Sequence, residues 1–205
     1  MAIRTVIWDM GGVFIRTEDP APRQALAQRL GMERMQLEDL VFDGESGKRA
    51  QKGEISFDEH WENLLRILGL PVEARQDFFD QFWGGDYLDR ELVDYARQLR
   101  KHYKVGLLSN AFGDLRQTVV ETWKIADAFD EMIISAEVGM MKPDARIFAL
   151  AVERLGVAPQ EAVFIDDFKH NVKGAQAAGL FAIHFQNSLQ VRQDLERILR
   201  DGGAA

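Results

Sequence analysis

Polar residues of the kinds used in phosphoryl transfer follow short apolar runs at separate places in the chain. Asp9 comes directly after the first run, Ser109 after the second, and the pair Asp166-Asp167 after the fourth. Lys142 lies shortly after the third run, directly before a proline. Together these residues supply a carboxylate nucleophile, a hydroxyl donor, a cation and further carboxylates for a hard metal ion such as Mg²⁺. Their types predict phosphoryl transfer if the fold brings them to one place.

The apolar runs have the composition of strands that are buried on both faces of a parallel sheet. They are short, rich in Val, Ile and Leu, and lack alternation with polar residues. Strands are predicted over residues 3–8, 105–108, 132–134, 162–165 and 180–185. Because ligands bind outside the carboxyl ends of parallel strands, the polar residues behind these strands are expected to share one edge of the sheet.

Helical patterns alternate with the predicted strands. Helices are predicted over residues 91–101, 143–155 and 188–199, and Asn171 is expected to cap another helix that ends at Gly179. This alternation predicts an α/β fold with a Rossmann-like, doubly wound parallel sheet and right-handed crossovers.

One long stretch interrupts the alternation. Residues 17–87 show helical periodicity and no convincing strand, and Ser56 with Glu59 forms a capping-box pattern that opens an amphipathic helix. A small all-helical cap is therefore predicted, inserted after the first strand and lying over the carboxyl edge of the sheet. The predicted domains are a core of residues 1–16 and 88–205 and a cap of residues 17–87.

Four segments of the chain resemble, in order and spacing, the motifs of the haloacid dehalogenase-like (HAD) superfamily. The segments are Asp9-Met-Gly-Gly-Val13, Ser109-Asn110, Gly139-Met-Met-Lys142-Pro-Asp144 and Phe164-Ile-Asp166-Asp167-Phe-Lys-His-Asn171. The helical insertion is similar to the cap of the phosphatase and dehalogenase branches, and the resemblance covers nearly the whole chain. The motif spelling, with Lys-Gly-Glu-Ile-Ser56 in the cap, looks closest to a bacterial group that includes glucose-1-phosphate phosphatases.

The resemblance implies a role for each motif residue in a Mg²⁺-dependent phosphohydrolase. Asp9 would be the nucleophile that forms an aspartyl-phosphate, and Ser109, with the backbone of Asn110, would bind the transferred phosphoryl group. Lys142 would neutralise charge on the nucleophile and on the phosphoryl oxygens. The implied metal ligands are Asp9, the backbone carbonyl of Gly11, Asp166 and Asp167, the last directly or through water.

One position departs from the pattern of many phosphatases in this superfamily. They carry a second aspartate two residues after the nucleophile, which protonates the leaving group, whereas this chain has Gly11. The backbone metal ligand survives the change, but general-acid catalysis, typically worth about 10²–10⁴-fold, is lost. We therefore expect slow turnover of alkyl phosphates and a smaller loss with better leaving groups, such as those of anomeric sugar phosphates or aryl phosphates.

Two other functions stay open at the level of the sequence. A 2-haloacid dehalogenase also uses an aspartate nucleophile and a lysine, but it needs no metal. The pair Asp166-Asp167 weighs against it, because carboxylates near Asp9 without a cation would repel one another. The other alternative is a non-catalytic domain that binds a phosphorylated ligand or a protein partner, since Gly11 removes the acid.

Composition disfavours several further classes of protein. The 205 residues include 25 Lys and Arg and 33 Asp and Glu, and this net charge of −8 argues against nucleic acid or an anionic membrane as the partner. The chain has no cysteine, no apolar stretch of the roughly 20 residues that a membrane helix needs, and no signal-peptide layout. The expectation is a soluble cytoplasmic monomer or homodimer that acts on a small phosphorylated metabolite.

Overall fold

The computed structural model describes residues 2–200, and a five-stranded sheet with only parallel pairs lies at its centre. The strands in chain order are β1 (Thr5–Trp8), β2 (Ile15–Thr17), β3 (Asp86–Leu88), β4 (Lys104–Ser109), β5 (Glu131–Ile134), β6 (Ala162–Asp166) and β7 (Phe181–His184). The order across the sheet is β5-β4-β1-β6-β7, while β2 and β3 form a separate antiparallel ribbon. All five predicted strands occur, and the predicted Rossmann-like fold class is confirmed.

Helices connect the strands and cover both faces of the sheet. The α-helices are α1 (Ala21–Arg29), α2 (Arg34–Glu38), α3 (Glu45–Gln51), α4 (Phe57–Ile67), α5 (Arg75–Trp83), α6 (Arg90–Leu99), α7 (Leu115–Gln117), α8 (Ser135–Val138), α9 (Ala145–Leu155), α10 (Lys169–Ala177) and α11 (Ser188–Arg200). Successive strand residues point to opposite faces. Val6 and Trp8 of β1 therefore pack with α6 and α11, while Ile7 packs with α9 and α10.

Three helices begin at residues other than those predicted, and the first of them, α6, begins one residue early, at Arg90. Helix α9 starts after Pro143, because the side chain of Asp144 accepts a hydrogen bond from the backbone N–H of Arg146 and caps the helix there. The prediction that Asn171 caps the next helix is wrong. Asn171 lies inside the first turn of α10, where its side chain is buried and points at the sheet edge.

Helices α1 to α5 form the predicted cap between β2 and β3, with a hydrophobic cluster of their own. Trp61, Phe78 and Phe82 are buried in this cluster. Ser56 caps α4 by accepting a hydrogen bond from the backbone N–H of Glu59, as predicted. The prediction that the insertion contains no strand is wrong at its two ends, where β2 pairs with β3. Strands of three residues are too short to show a periodicity in the sequence.

The cap contacts the core at two points close to the carboxyl edge of the sheet. Phe112, in the loop after β4, packs into the hydrophobic cluster of the cap, with its ring stacked on that of Phe42 at a centroid distance of 6.0 Å. Gly53, after α3, lies so close to α8 that a Cβ on it would be 2.1 Å from the carbonyl oxygen of Ala136. These contacts hold the cap against the loops that follow β4 and β5.

We propose the domain division that the sequence predicts, with the β2–β3 ribbon at the boundary between core and cap. Residue 1 and residues 201–205, which the predicted core includes, lie outside the described residues. Among residues 2–200, no helix combines the length and the apolar composition that crossing a bilayer requires.

Candidate active site

Polar residues at the ends of three neighbouring strands meet at the carboxyl edge of the sheet. The register pairs Trp8 of β1 with Ile165 of β6, so that Asp9 and Asp166 follow side by side. Ser109 is the last residue of the adjacent strand β4. The parallel sheet thus brings together residues that are about 100 and 157 positions apart from Asp9 in the chain, as the strand-end pattern predicts.

The Lys142 ammonium lies between two of these carboxylates. Its Nζ is 2.9 Å from Oδ1 of Asp9 and 2.6 Å from Oδ2 of Asp166, and its side chain is fully buried. Burial alone would lower the pKa of Lys142, but the two carboxylates outweigh it and raise that pKa above its ordinary value. Lys142 is therefore a permanent positive charge at the centre of the site.

A third carboxylate completes the cluster. Asp9, Asp166 and Asp167 each offer an oxygen within 4.8 Å of the other two. Burial raises the pKa of Asp9 to about 7 against the opposing effect of Lys142, and burial with the charge of Asp166 raises the pKa of Asp167 to about 6. Three carboxylates face a single ammonium, so the cluster carries an excess of negative charge that a further cation would neutralise.

The donor set fits a magnesium ion. Mg²⁺ takes oxygen ligands, commonly one or two carboxylates together with water and substrate phosphate oxygens. Oδ1 of Asp167 is buried and has no hydrogen-bond partner among residues 2–200, so it is an acceptor that a cation would satisfy. Gly12 has a φ of +72°, and a Cβ on it would lie 2.1 Å from Oδ2 of Asp167. Glycine at this position therefore makes room for the Asp167 carboxylate.

The other predicted site residues lie around this cluster. Ser109 is buried at the carboxyl end of β4, the strand next to β1. The side chain of Asn110 is occupied by the backbone of Lys142, at 2.8 and 2.9 Å. Gly11 is exposed, and a Cβ on it would meet no atom within 4 Å, so the position of the missing acid is open space.

Two residues that the sequence analysis left without a site role contact the acidic pair. Nδ2 of Asn171 lies 3.2 and 3.1 Å from the two carboxylate oxygens of Asp166. Nε2 of His184, at the end of β7, donates a hydrogen bond to the backbone carbonyl of Asp167 at 2.9 Å. The register that pairs Asp166 with His184 could have indicated the second contact, because both residues end neighbouring strands.

Ser135 is a third residue for which the sequence predicted no role, although it does not contact the acidic pair itself. It directly follows β5 and is fully buried, and its hydroxyl bonds both backbone groups of Ala111 in the loop after β4. Its position after a strand is the same signal that pointed to Asp9 and Ser109. The predicted strand over residues 132–134 ends directly before Ser135, but no chemistry was predicted for this serine.

Comparison with known proteins identifies the family. A model of the haloacid dehalogenase-like hydrolases matches residues 3–179. The chain belongs to this hydrolase family. It is 27% identical over 201 residues to a sesquiterpene phosphatase of Aspergillus oryzae, covering 96% of each protein. It is 26% identical over 211 residues to a D-ribitol-5-phosphate phosphatase of Bacteroides thetaiotaomicron, covering 96% of this chain and 98% of that protein.

A solved HAD enzyme has the same architecture. The structure of a HAD family enzyme of Bacteroides thetaiotaomicron, in complex with magnesium and inorganic phosphate, superposes with a TM-score of 0.77. The match covers 92% of this chain and 98% of that one, at 25% identity. The predicted membership of the HAD superfamily, on its phosphatase side, is confirmed, and the protein is a hydrolase of the phosphatase type.

Proposed function

We propose that this HAD hydrolase is a Mg²⁺-dependent phosphatase that cleaves a small phosphate monoester of the sugar phosphate type through an aspartyl-phosphate on Asp9. The observation that carries the proposal is the cluster of three carboxylate oxygens within 4.8 Å, with the Lys142 ammonium bonded to two of the carboxylates. A metal-free dehalogenase would leave the buried oxygen of Asp167 without a partner. The ribitol phosphate named for one relative supports a small phosphorylated substrate.

The first half-reaction uses an Asp9 carboxylate that is already oriented. Its Oδ1 is held by Lys142 and, at 2.7 Å, by the backbone N–H of Met10. A carboxylate oxygen attacks phosphorus, and the bond from phosphorus to the leaving oxygen breaks, with its electron pair staying on that oxygen. The hydroxyl of Ser109 and the ammonium of Lys142 stabilise the transferred group. With Gly11 in place of an acid, the leaving oxygen takes its proton from water.

The second half-reaction restores the enzyme. Water attacks the phosphorus of the aspartyl-phosphate, the bond to the Asp9 oxygen breaks, and inorganic phosphate leaves while the proton passes to solvent. Asp9, the carbonyl of Gly11, Asp166 and Asp167 would hold Mg²⁺. When bound, this ion supplies positive charge that offsets the carboxylates and the phosphoryl oxygens. Asn171 and His184 keep the acidic pair in place through the contacts described above.

Phosphate release from a substrate panel tests the proposal. The panel contains ribitol 5-phosphate, an anomeric sugar phosphate, a nucleotide, a prenyl phosphate and an aryl phosphate, each with Mg²⁺ and with a chelator. We expect Mg²⁺-dependent release, fastest from the members with the best leaving groups. No release from any member by the folded protein would overturn the proposal. Halide release from a 2-haloacid would then indicate a dehalogenase, and phosphate binding without turnover would indicate a binding domain.

A further inference from the structure

A buried serine at the start of α8, directly after β5, holds the loop that follows β4. The hydroxyl of Ser135 accepts a hydrogen bond from the Ala111 N–H at 2.9 Å and lies 3.2 Å from the Ala111 carbonyl oxygen, to which it donates. A hydroxyl can donate and accept at once, whereas alanine at this position could do neither. Ser135 is fully buried, so this side chain satisfies backbone groups that no strand pairing reaches.

The same loop is also hydrogen-bonded to the backbone of Lys142, through the side chain of Asn110. Oδ1 of Asn110 accepts from the Lys142 N–H at 2.8 Å, and Nδ2 of Asn110 donates to the Lys142 carbonyl at 2.9 Å. The amide side chain closes a ring of two hydrogen bonds with a single residue. Only a side chain with both a donor and an acceptor can make this pair.

Lys142 depends on such support because it lies outside the regular elements. It comes between α8 and α9, where neither the sheet nor a helix fixes its backbone. Its ammonium must nevertheless sit within hydrogen-bond distance of both Asp9 and Asp166. The chain of contacts therefore runs from Ser135 to Ala111, through the adjacent Asn110, to the Lys142 backbone.

We propose that Ser135 and the side chain of Asn110 are positioning residues, which set the Ser109 loop and the Lys142 backbone in their reactive arrangement before substrate binds. The inference rests on the proposed function, since it takes Ser109 and Lys142 as the groups that bind the phosphoryl oxygens. Fixed groups of this kind act without reorganising during the reaction, and a displacement of about 1 Å can reduce the rate by about 10²-fold.

Two deletions and one matched control test the proposal. Ser135→Ala and Asn110→Ala each remove one link, and the double variant removes both. Thr5→Val is the control, because Thr5 is also fully buried and its hydroxyl has no partner among residues 2–200. For each variant, kcat and KM are measured with the aryl phosphate at a temperature where circular dichroism shows it to be folded. Inhibition by inorganic phosphate and the thermal unfolding midpoint are measured beside them.

We expect each single deletion to lower kcat by about 10–100-fold and to weaken inhibition by phosphate, while Thr5→Val keeps the wild-type kcat. The double variant should lose less than the product of the single losses, since both links act on one loop. The inference is overturned if folded Ser135→Ala and Asn110→Ala keep kcat within about twofold of wild type, with only the unfolding midpoint lowered. It is also overturned if Thr5→Val loses as much activity as they do.

A second readout separates this inference from the proposed function. If the wild type hydrolyses no phosphate ester, the shift of its unfolding midpoint by inorganic phosphate still reports on the loop. A shift that is lost in Ser135→Ala would support the positioning role although the proposed function had failed. An equal shift in both proteins, or no shift in the wild type, would overturn the positioning role as well.

Discussion

Gly11 leaves the proposed enzyme without an acid on the leaving-group side of Asp9. The position is exposed, and a Cβ on it would meet no atom within 4 Å, so an aspartate fits there. Gly11→Asp is expected to raise kcat/KM for an alkyl phosphate by about 10²-fold, because a poor leaving group needs a proton in the transition state. An aryl phosphate should gain much less. The measurement is kcat/KM for both esters.

Gly11→Ala is the control for this substitution, since it adds the Cβ without the carboxyl group. It should leave both rates close to those of the wild type. Equal gains on alkyl and aryl esters in Gly11→Asp, or the same gain in Gly11→Ala, would contradict the role assigned to this position.

The sequence could predict that the proposed site residues meet at one edge of the sheet, but it could not predict the directions of their side chains. Asp9, Ser109 and Asp166 end buried strands of one parallel sheet, and the geometry of such sheets brings strand ends together. Asn110 and Asn171 lie inside the second and fourth sequence motifs, yet their amides bond the backbone of Lys142 and the carboxylate of Asp166. Such pairings depend on how distant loops pack, which no local pattern records.

At the scale of elements, the seating of the cap on the core depends on Gly53. This residue has a φ of +69°, and a Cβ on it would lie 2.1 Å from the carbonyl oxygen of Ala136. Gly53→Ala should therefore displace the loop after α3 from α8, lower the unfolding free energy by more than the roughly 1–2 kcal/mol of backbone strain, and reduce kcat/KM. Urea unfolding and steady-state kinetics measure the two effects.

Gly69→Ala separates backbone strain from contact with the core. Gly69 also lies in the cap, with a φ of +66°, but a Cβ on it would meet no atom within 4 Å. Gly69→Ala should lower the unfolding free energy only by the roughly 1–2 kcal/mol of backbone strain, and it should keep the wild-type kcat/KM. If the two variants lose the same stability and activity, the contact with Ala136 has no special part in seating the cap.

His60 makes the packing of the cap sensitive to pH. Its Nδ1 lies 3.0 Å from the Ser46 hydroxyl, its ring packs on Phe112 of the core at a centroid distance of 4.9 Å, and burial lowers its pKa from 6.5 to about 4. The folded protein therefore keeps His60 neutral where the unfolded chain binds a proton. Its contribution to stability is complete above pH 6.5 and is lost as the pH falls towards 4.

As the pH falls from 6.5 to 4, we expect the unfolding free energy of the wild type to decrease more than that of His60→Gln. Urea unfolding at several pH values measures both. His102→Gln is the control, because His102 is exposed to solvent and lies outside the cap. A constant difference between wild type and His60→Gln from pH 6.5 to 4 would contradict the burial argument.

The sequence was a better guide to long buried elements than to short ones. Strands such as β4 and β6 are apolar along nearly their whole length because helices cover both faces of the sheet. The β2–β3 ribbon went unpredicted, since its three-residue strands are only partly covered and are set by how the two ends of the cap meet. Where the cap rests on the core likewise depends on contacts such as Phe112 that are remote in sequence.

At the scale of the whole molecule, a bound cation should stabilise the fold. The chain has a net charge of −8, and its site brings together two buried carboxylates that pair with Lys142 and a third, half-buried one. Mg²⁺ that binds only the folded state adds about 2.7 kcal/mol at a hundred times its Kd. We therefore expect the urea midpoint to rise with Mg²⁺ in the wild type and much less in Asp167→Asn. NaCl at equal ionic strength controls for general screening, and an equal rise with NaCl would contradict a specific site.

The most direct test of the central claim is the rate of Mg²⁺-dependent phosphate release by Asp9→Asn, with the aryl phosphate as substrate. The substitution keeps the size of the side chain and removes its nucleophilic charge. Asp127→Asn, which changes an exposed aspartate paired with Arg97, is the control. The account predicts a rate at the uncatalysed background for Asp9→Asn, with a wild-type fold by circular dichroism and a wild-type rate for the control. Phosphate release by Asp9→Asn at the wild-type rate would contradict it.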